Sequence, residues 1–151
     1  APKLEMKSLN IGAVAQKYAD TFDIDSDNAV EMAKLTKGYP FAFQVLGYLT
    51  WNNNGDYKGV LAEYRQYLEE YVYEKIWSEL SAKDKEVAFA IAKCDTGKIK
   101  DIRELLHIDT NQFNPYRKRL IKKGIVDGSE YGFVRFTLPF FEQFVIENYY
   151  D

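Results

Sequence analysis

The apolar residues in the first half of the chain recur with the 3.6-residue period of an α-helix. Four stretches carry this period, and each follows a residue or segment suited to a helix start, namely Ser8, residues 25–27, Pro40 and Asp56. Their inward positions are Ile11, Val14, Tyr18 and Phe22, then Ala29, Met32 and Ala33, then nearly every residue at 41–51, then Tyr57, Leu61, Tyr64, Leu68, Val72 and Ile76. We therefore expect a four-helix bundle over residues 9–80, preceded by a tail at residues 1–8.

The third helix begins at a corner made of Gly38, Tyr39 and Pro40. Glycine adopts the left-handed conformation that is common after a helix end, so Gly38 is expected to end the second helix. Pro40 has a fixed φ and lacks an N–H, which suits the first turn of the next helix. That helix is apolar on almost every face, with Gln44 and Gly47 as a thin stripe, and this pattern predicts a buried position.

The pattern changes in the second half, where the order of elements indicates a winged helix-turn-helix domain over residues 81–151. Ser81 and Asp84 have the spacing of a capping box and predict a helix that runs to about Cys94. The elements that follow are a short helix with Ile102, Leu105 and Leu106 on one face, a third helix between Asp109 and Gly124, a β-hairpin with strands at residues 125–126 and 133–137, and a last aromatic helix from Pro139. The predicted fold class is mainly α, with a four-helix bundle followed by a winged helix-turn-helix domain that has one β-hairpin and a C-terminal helix.

Composition and charge exclude several classes of protein. The 151 residues are 46% hydrophobic and 28% charged, which is typical of a globular protein and not of a disordered one. The net charge of −3 gives no bulk basic character of the kind that announces nucleic-acid binding. No signal peptide is visible and no apolar run approaches the roughly 18 residues of a membrane span, so we expect no membrane partner. Cys94 is the only cysteine, which excludes an internal disulfide and favours a cytoplasmic location.

Groups that could carry catalysis are scarce. His107 is the only histidine and lies in an apolar context, which favours a structural or surface position over catalysis. One histidine and one cysteine cannot assemble a His- or Cys-rich zinc site, and neither a phosphate-binding P-loop motif nor a G-x-S-x-G elbow is present. We therefore expect no enzyme activity, no metal and no cofactor in this chain alone.

Basic and amide side chains cluster on the third helix of the predicted winged helix, the helix that enters the major groove in DNA-binding members of this fold. Asparagine and glutamine can hydrogen-bond base edges or phosphates, and lysine and arginine attract phosphates. The candidate nucleic-acid contacts are Asn111, Gln112, Asn114, Arg117, Lys118, Arg119 and Lys122 on the helix and Arg135 on the hairpin. Residues 82–151 carry nearly equal numbers of basic and acidic side chains, and winged helices also bind proteins, so double-stranded DNA and protein both stay open as partners.

Three segments of the chain resemble the C-terminal half of P-loop ATPases of the AAA+/STAND type, most of all the archaeal-ATPase-like proteins of prokaryotes. They are residues 36–43 in the bundle, with Gly38-Tyr39-Pro40 at their centre, and residues 116–125 and 136–141 in the winged helix. The resemblance spans about residues 9–150. It implies that the four-helix bundle is lid-like.

The resemblance also implies a ligand and a partner domain. In such proteins the bundle closes over ATP or ADP, with Mg, which is held mainly by an N-terminal P-loop ATPase domain of the same polypeptide. Gly38, Tyr39 and Pro40 would lie beside the nucleotide, since proline and tyrosine rings can pack on adenine and glycine lets the backbone approach. Phe41 stands where many members have an arginine that senses the γ-phosphate, and residues 135–139 lack the histidine with which some members hold ADP. Neither of these two contacts is therefore expected.

Three functions are consistent with the sequence. The first is the non-catalytic C-terminal part of an AAA+/STAND-type ATP-binding protein, with the winged helix as a DNA- or protein-binding module. The alternative is a self-contained winged-helix DNA-binding regulator. A third is a protein–protein adaptor that uses the aromatic C-terminal helix, and full burial of Phe140 and Phe144 in the monomer would argue against it.

Overall fold

The computed structural model describes residues 8–150, so the part of the predicted tail at residues 1–7 lies outside the described residues. Helices dominate, and a single pair of antiparallel strands is present in the described part. The chain divides into an N-terminal unit, Ala1–Glu70, and a C-terminal unit, Tyr71–Asp151. Among residues 8–150, no helix combines the length and the apolar character needed to cross a bilayer.

The N-terminal unit is a bundle of helices around buried tyrosine and aliphatic side chains. Tyr18 and Tyr64 are fully buried, and their hydroxyls donate to the carbonyl oxygens of Phe43 at 2.6 Å and Leu35 at 2.8 Å. Burial raises the pKa of both tyrosines, because the charged phenolate would lose its hydration. The helical segments are α1 (Ile11–Phe22), α2 (Ser26–Lys34), α3 (Pro40–Trp51), a 3₁₀ turn (Lys58–Val60) and α4 (Leu61–Leu68).

Two helix ends in this unit differ from the sequence prediction. Asn10, and not Ser8, caps α1, because its backbone is extended and its side-chain oxygen accepts a hydrogen bond from the Ala13 N–H at 3.0 Å. The second helix ends at Lys34 and not at Gly38, since a turn that includes the left-handed Lys37 lies between them.

The predicted burial of α3 on almost every face is wrong on one side. Tyr48 is 61% exposed and Trp51 is 67% exposed. Tyr48 lies four residues after Gln44, and Trp51 lies three residues after Tyr48. These three exposed side chains therefore lie along one face of the helix. The opposite face, with Ala42 and Leu46, has no exposed surface and belongs to the core.

The predicted long fourth helix is interrupted by a π-helical turn at Glu69–Tyr73, after which α5 (Glu74–Ser78) follows. A π turn adds one residue to the helical repeat, because its hydrogen bonds run to the fifth residue along the chain. The fully buried residue after Leu68 is therefore Tyr73, whereas the 3.6-residue period predicts Val72. The boundary between the two units falls inside this turn.

The C-terminal unit has the element order of a winged helix-turn-helix domain with an added C-terminal helix, which confirms the predicted fold class. The three-helix core and the hairpin, here called the wing, are completed by a final helix that packs on the first of the three. After α5 the elements are α6 (Ala82–Lys93), α7 (Ile99–Leu106), α8 (Thr110–Lys122), β1 (Val126–Asp127), β2 (Arg135–Phe136) and α9 (Phe141–Asn148).

The wing is shorter in strand content than the predicted hairpin. Val126 lies opposite Phe136 and Asp127 opposite Arg135, so only two residues of the predicted strand at residues 133–137 pair with β1. Phe133 instead bridges Lys98, just before α7. The Val134 N–H donates to the Gly97 carbonyl oxygen and the Ile99 N–H donates to the Gly132 carbonyl oxygen, so residues 132–134 pair with residues 97–99.

The last helix begins at Phe141 and not at Pro139, because Phe140 adopts a left-handed conformation with a φ of 60°. Tyr73 contacts the rings of Phe141 and Phe144 at centroid distances of 5.1 and 5.7 Å. This packing explains why the C-terminal unit begins at Tyr71, earlier than the boundary that the sequence predicts between residues 80 and 81. Phe144 is buried and Phe140 half-buried, so most of the face proposed for a protein adaptor is used inside the unit.

Candidate nucleic-acid interface

Helix α8 starts at a capping box made by Asp109 and Gln112. The Asp109 carboxylate accepts a hydrogen bond from the Gln112 N–H at 2.8 Å, and the Gln112 side-chain oxygen accepts one from the Asp109 N–H at 3.0 Å. The box satisfies two backbone donors at the start of the helix and defines its first turn. The Gln112 side chain, a candidate DNA contact, is thus engaged within the unit.

Helix α8 has a buried face and, opposite to it, a free one. Phe113 and Leu120 are the fully buried residues. The opposite face is exposed and is here called the α8 stripe, made of Asn111, Asn114, Lys118 and Lys122. Steps of three and four residues place these side chains in one row, which extends for about 16 Å along the helix. Within residues 8–150, none of the four side chains forms a hydrogen bond or an ion pair.

The two arginines of α8 point away from this row. The Arg117 guanidinium donates to the carbonyl oxygen of Gly128 in the wing at 3.0 Å. Arg119 forms an ion pair with Asp84 at 3.0 Å, and its guanidinium lies 4.8 Å from the centroid of the Tyr116 ring. The bond to Asp84 raises the pKa of Arg119. Each arginine therefore connects α8 to another part of the same unit.

The Asp84 carboxylate is buried and does not take part in the capping box that the sequence predicts. Ser81 does cap α6, since its hydroxyl oxygen accepts a hydrogen bond from the Asp84 N–H at 3.0 Å. The Asp84 side chain, however, accepts two bonds from Arg119 in place of completing the capping box. The helical period of the sequence could have indicated the burial of Asp84, because Asp84, Val87 and Ile91 share the inward face of α6.

Replacement of Arg119 by alanine is expected to lower the free energy of unfolding by about 1–3 kcal/mol, because it leaves the buried Asp84 carboxylate without its cation. Urea unfolding measures the loss. Lys118→Ala is the matched control, since it removes an exposed cation one residue earlier and should change the stability by less than about 0.5 kcal/mol. Equal stabilities of the two variants would contradict a structural role for Arg119.

Arg135, the candidate contact on the wing, interacts with two other side chains of the wing. Arg135 lies 3.6 Å from the carboxylate of Glu130, and its guanidinium lies 5.0 Å from the centroid of the Phe133 ring. Both charged side chains of the pair are more than half exposed, so water screens the attraction between them and the ion pair is weak. Of the eight candidate contacts, Gln112 and the three arginines thus have partners within the unit, and the four residues of the α8 stripe do not.

A cavity of about 330 Å³ opens between α6 and α8, on the side of α8 that carries Arg119. Val87, Leu106 and Ile108 give it an apolar lining. Lys83 and Glu86 at its rim pair with each other at 3.2 Å. The cavity therefore has a mixed apolar and charged lining, and it is not lined by the residues of the α8 stripe.

The corner before α3 is the second predicted site. Gly38 has a φ of +73°, and a Cβ atom there would clash with the carbonyl oxygen of Leu9. The Leu9 N–H in turn donates to the Gly38 carbonyl oxygen at 2.7 Å. Tyr39 is half-buried, which raises its pKa, and Pro40 is the first residue of α3. The space that requires a glycine is thus filled by the chain itself, and the contact of Gly38, Tyr39 and Pro40 with a nucleotide stays a prediction.

Comparison with known proteins gives one match. The model of a family described as a domain of unknown function, DUF8462, matches residues 70–145, which is about half of the chain and includes α6 to α8 and the wing. No curated protein and no solved structure matches the chain. The resemblance to ATPases of the AAA+/STAND type therefore stays a prediction.

Proposed function

The chain belongs to the DUF8462 family, a domain of unknown function, so we propose its function from the geometry of the site. We propose that the winged-helix unit binds double-stranded DNA through the α8 stripe. The observation that carries the proposal is the contrast on α8. Its arginines are bound within the unit, while Asn111, Asn114, Lys118 and Lys122 form an exposed row without partners in the described residues.

The dimensions of α8 suit the major groove of DNA. An α-helix with its side chains is about 10–12 Å across, and the major groove is about 12 Å wide. In helix-turn-helix proteins the N-terminal residues of the recognition helix contact base edges. Asn111 and Asn114 occupy that half of α8, and the lysines follow at positions where long side chains can reach phosphates.

Removal of the two lysines of the α8 stripe is the direct test. With each lysine neutralising one phosphate, the slope of log K against log salt should be less negative by about 1.8 in Lys118→Ala/Lys122→Ala than in the wild type. Affinity near 0.1 M salt should fall by roughly one to two orders of magnitude. Fluorescence anisotropy with a labelled duplex of about 20 base pairs, over a series of salt concentrations, measures both quantities.

The control removes the same charge elsewhere. Lys34→Ala/Lys93→Ala deletes two exposed lysines from the last turns of α2 and α6, so a general effect of net charge would appear in it as well. We expect this control to bind DNA almost as the wild type does. DNA binding that does not depend on salt, or equal losses in the two double variants, would contradict the proposal.

The proposal is a binding function without catalysis, and it includes a cytoplasmic location. Cys94 is a free thiol, as a reducing compartment would keep it. Partial burial raises the pKa of this thiol, so it stays protonated and unreactive near neutral pH.

A further inference from the structure

The N-terminal half of α8 offers DNA a specific set of chemical groups. Asn111 and Asn114 are exposed amides without partners in the described residues, and the exposed ring of Pro115 lies beside them. An asparagine amide is complementary to adenine, since it can accept from N6 and donate to N7 at once. An apolar group beside these amides can contact the methyl group of thymine.

Helix α8 has no arginine in its N-terminal half, and both arginines in its C-terminal half are bound within the unit. Arginine recognises guanine by donating to O6 and N7 together, which is the commonest specific contact in the major groove. Arg117 is held by the Gly128 carbonyl oxygen and Arg119 by the buried Asp84 carboxylate. Both guanidinium groups would have to break these bonds before they could reach a base.

We propose that α8 recognises A·T base pairs in the major groove, with Asn111 and Asn114 as the residues that contact adenine. This inference rests on the proposed DNA-binding function and names the base pairs for which that site is specific. The lysines of the α8 stripe contact phosphates and contribute equally to every sequence. The two asparagines contribute the difference between sequences.

Two duplexes of about 20 base pairs with identical flanks test the inference, one with a central run of about six A·T pairs and the other with G·C pairs. Fluorescence anisotropy of the full chain at one salt concentration should show about tenfold tighter binding to the A·T duplex. A third duplex carries 7-deazaadenine at the central adenines and so lacks the N7 acceptor in the major groove. Its affinity should fall to that of the G·C duplex.

Variants assign the preference to side chains. Asn111→Ala/Asn114→Ala should bind the A·T and G·C duplexes with equal affinity, whereas Lys118→Ala should weaken both by the same factor and keep their ratio. Both asparagines are exposed, so circular dichroism should show an unchanged helix content in the double variant. An alanine pair that also preserves the ratio would overturn the role of the asparagines.

The outcomes separate this inference from the proposed function. Equal binding of the wild type to A·T and G·C duplexes overturns the inference and leaves DNA binding intact. A preference that survives 7-deazaadenine also overturns it, because recognition would then come from the minor groove or from DNA shape. Absence of binding to all three duplexes overturns the proposed function and the inference with it.

Discussion

Replacement of Phe141 by alanine should lower the free energy of unfolding of the C-terminal unit by about 3–5 kcal/mol. Phe141 has no exposed surface, and its ring centroid lies 5.1 Å from those of both Tyr73 and Phe136. Truncation removes the ring that joins these two, and the cavity left behind cannot close unless the remaining rings move. Urea unfolding followed by tryptophan fluorescence measures the loss.

The two tryptophans allow this measurement to be made on one unit at a time. Trp77 belongs to the C-terminal unit and Trp51 to the N-terminal unit, so a Trp51→Phe background leaves Trp77 as the reporter. Tyr131→Ala in the same background is the control, because Tyr131 is fully exposed and its removal should change stability by less than about 0.5 kcal/mol. A loss below about 1 kcal/mol for Phe141→Ala would contradict the packed aromatic cluster.

Replacement of Gly38 by alanine should destabilise the N-terminal unit by about 2–3 kcal/mol. One part of the loss comes from the left-handed backbone, which a Cβ atom disfavours. The other part comes from Leu9, whose carbonyl oxygen lies where the new methyl group would stand, and whose hydrogen bond to Gly38 would be lost. Unfolding in a Trp77→Phe background, with Trp51 as the reporter, measures the sum.

Gly55→Ala separates the two parts. Gly55 has a φ of +82° and no atom within 4 Å of a Cβ atom built on it, so alanine there meets only the cost of the left-handed backbone, about 1–2 kcal/mol. The difference between the two variants then measures the contact with Leu9. Equal losses would show that Leu9 does not fill the space beside the corner.

The order of elements in the C-terminal unit was predictable because particular residues mark the ends of its helices. Ser81 and Asp109 cap α6 and α8, and the left-handed Gly124 follows the end of α8. These signals are local, so they can be recognised without knowledge of the tertiary structure. The exact start of α9 was not predictable, because both Pro139 and Phe140 are compatible with a helix and only the folded unit holds Phe140 in the left-handed region.

Helical periodicity failed where tertiary packing favoured a different phase. Val72 and Tyr73 are both apolar enough for a buried position, and the 3.6-residue period selects Val72. The structure buries Tyr73, because its ring packs on Phe141 and Phe144 far along the chain. A π-helical turn at Glu69–Tyr73 shifts the helical phase so that Tyr73 is buried. No local pattern in the sequence indicates such a turn.

The candidate site was predicted in its residue types and its helix, but not in its partners. The row formed by Asn111, Asn114, Lys118 and Lys122 follows from helical spacing alone. The ion pair between Arg119 and Asp84 joins residues 35 positions apart, so sequence periodicity could not reveal it. Only the folded structure shows that Arg117 and Arg119 are bound within the unit and that, within the described part of the chain, the two lysines are the cations left free on α8.

The bonds that tie the wing to the segment before α7 bear on the cost of binding. The Val134 N–H donates to the Gly97 carbonyl oxygen and the Ile99 N–H to the Gly132 carbonyl oxygen, each at 2.9 Å. A loop bonded at this end and paired at its base in β1 and β2 has already lost most of its conformational entropy on folding. A partner that contacts the wing therefore meets a preorganised surface, and little of the binding free energy is consumed in ordering it.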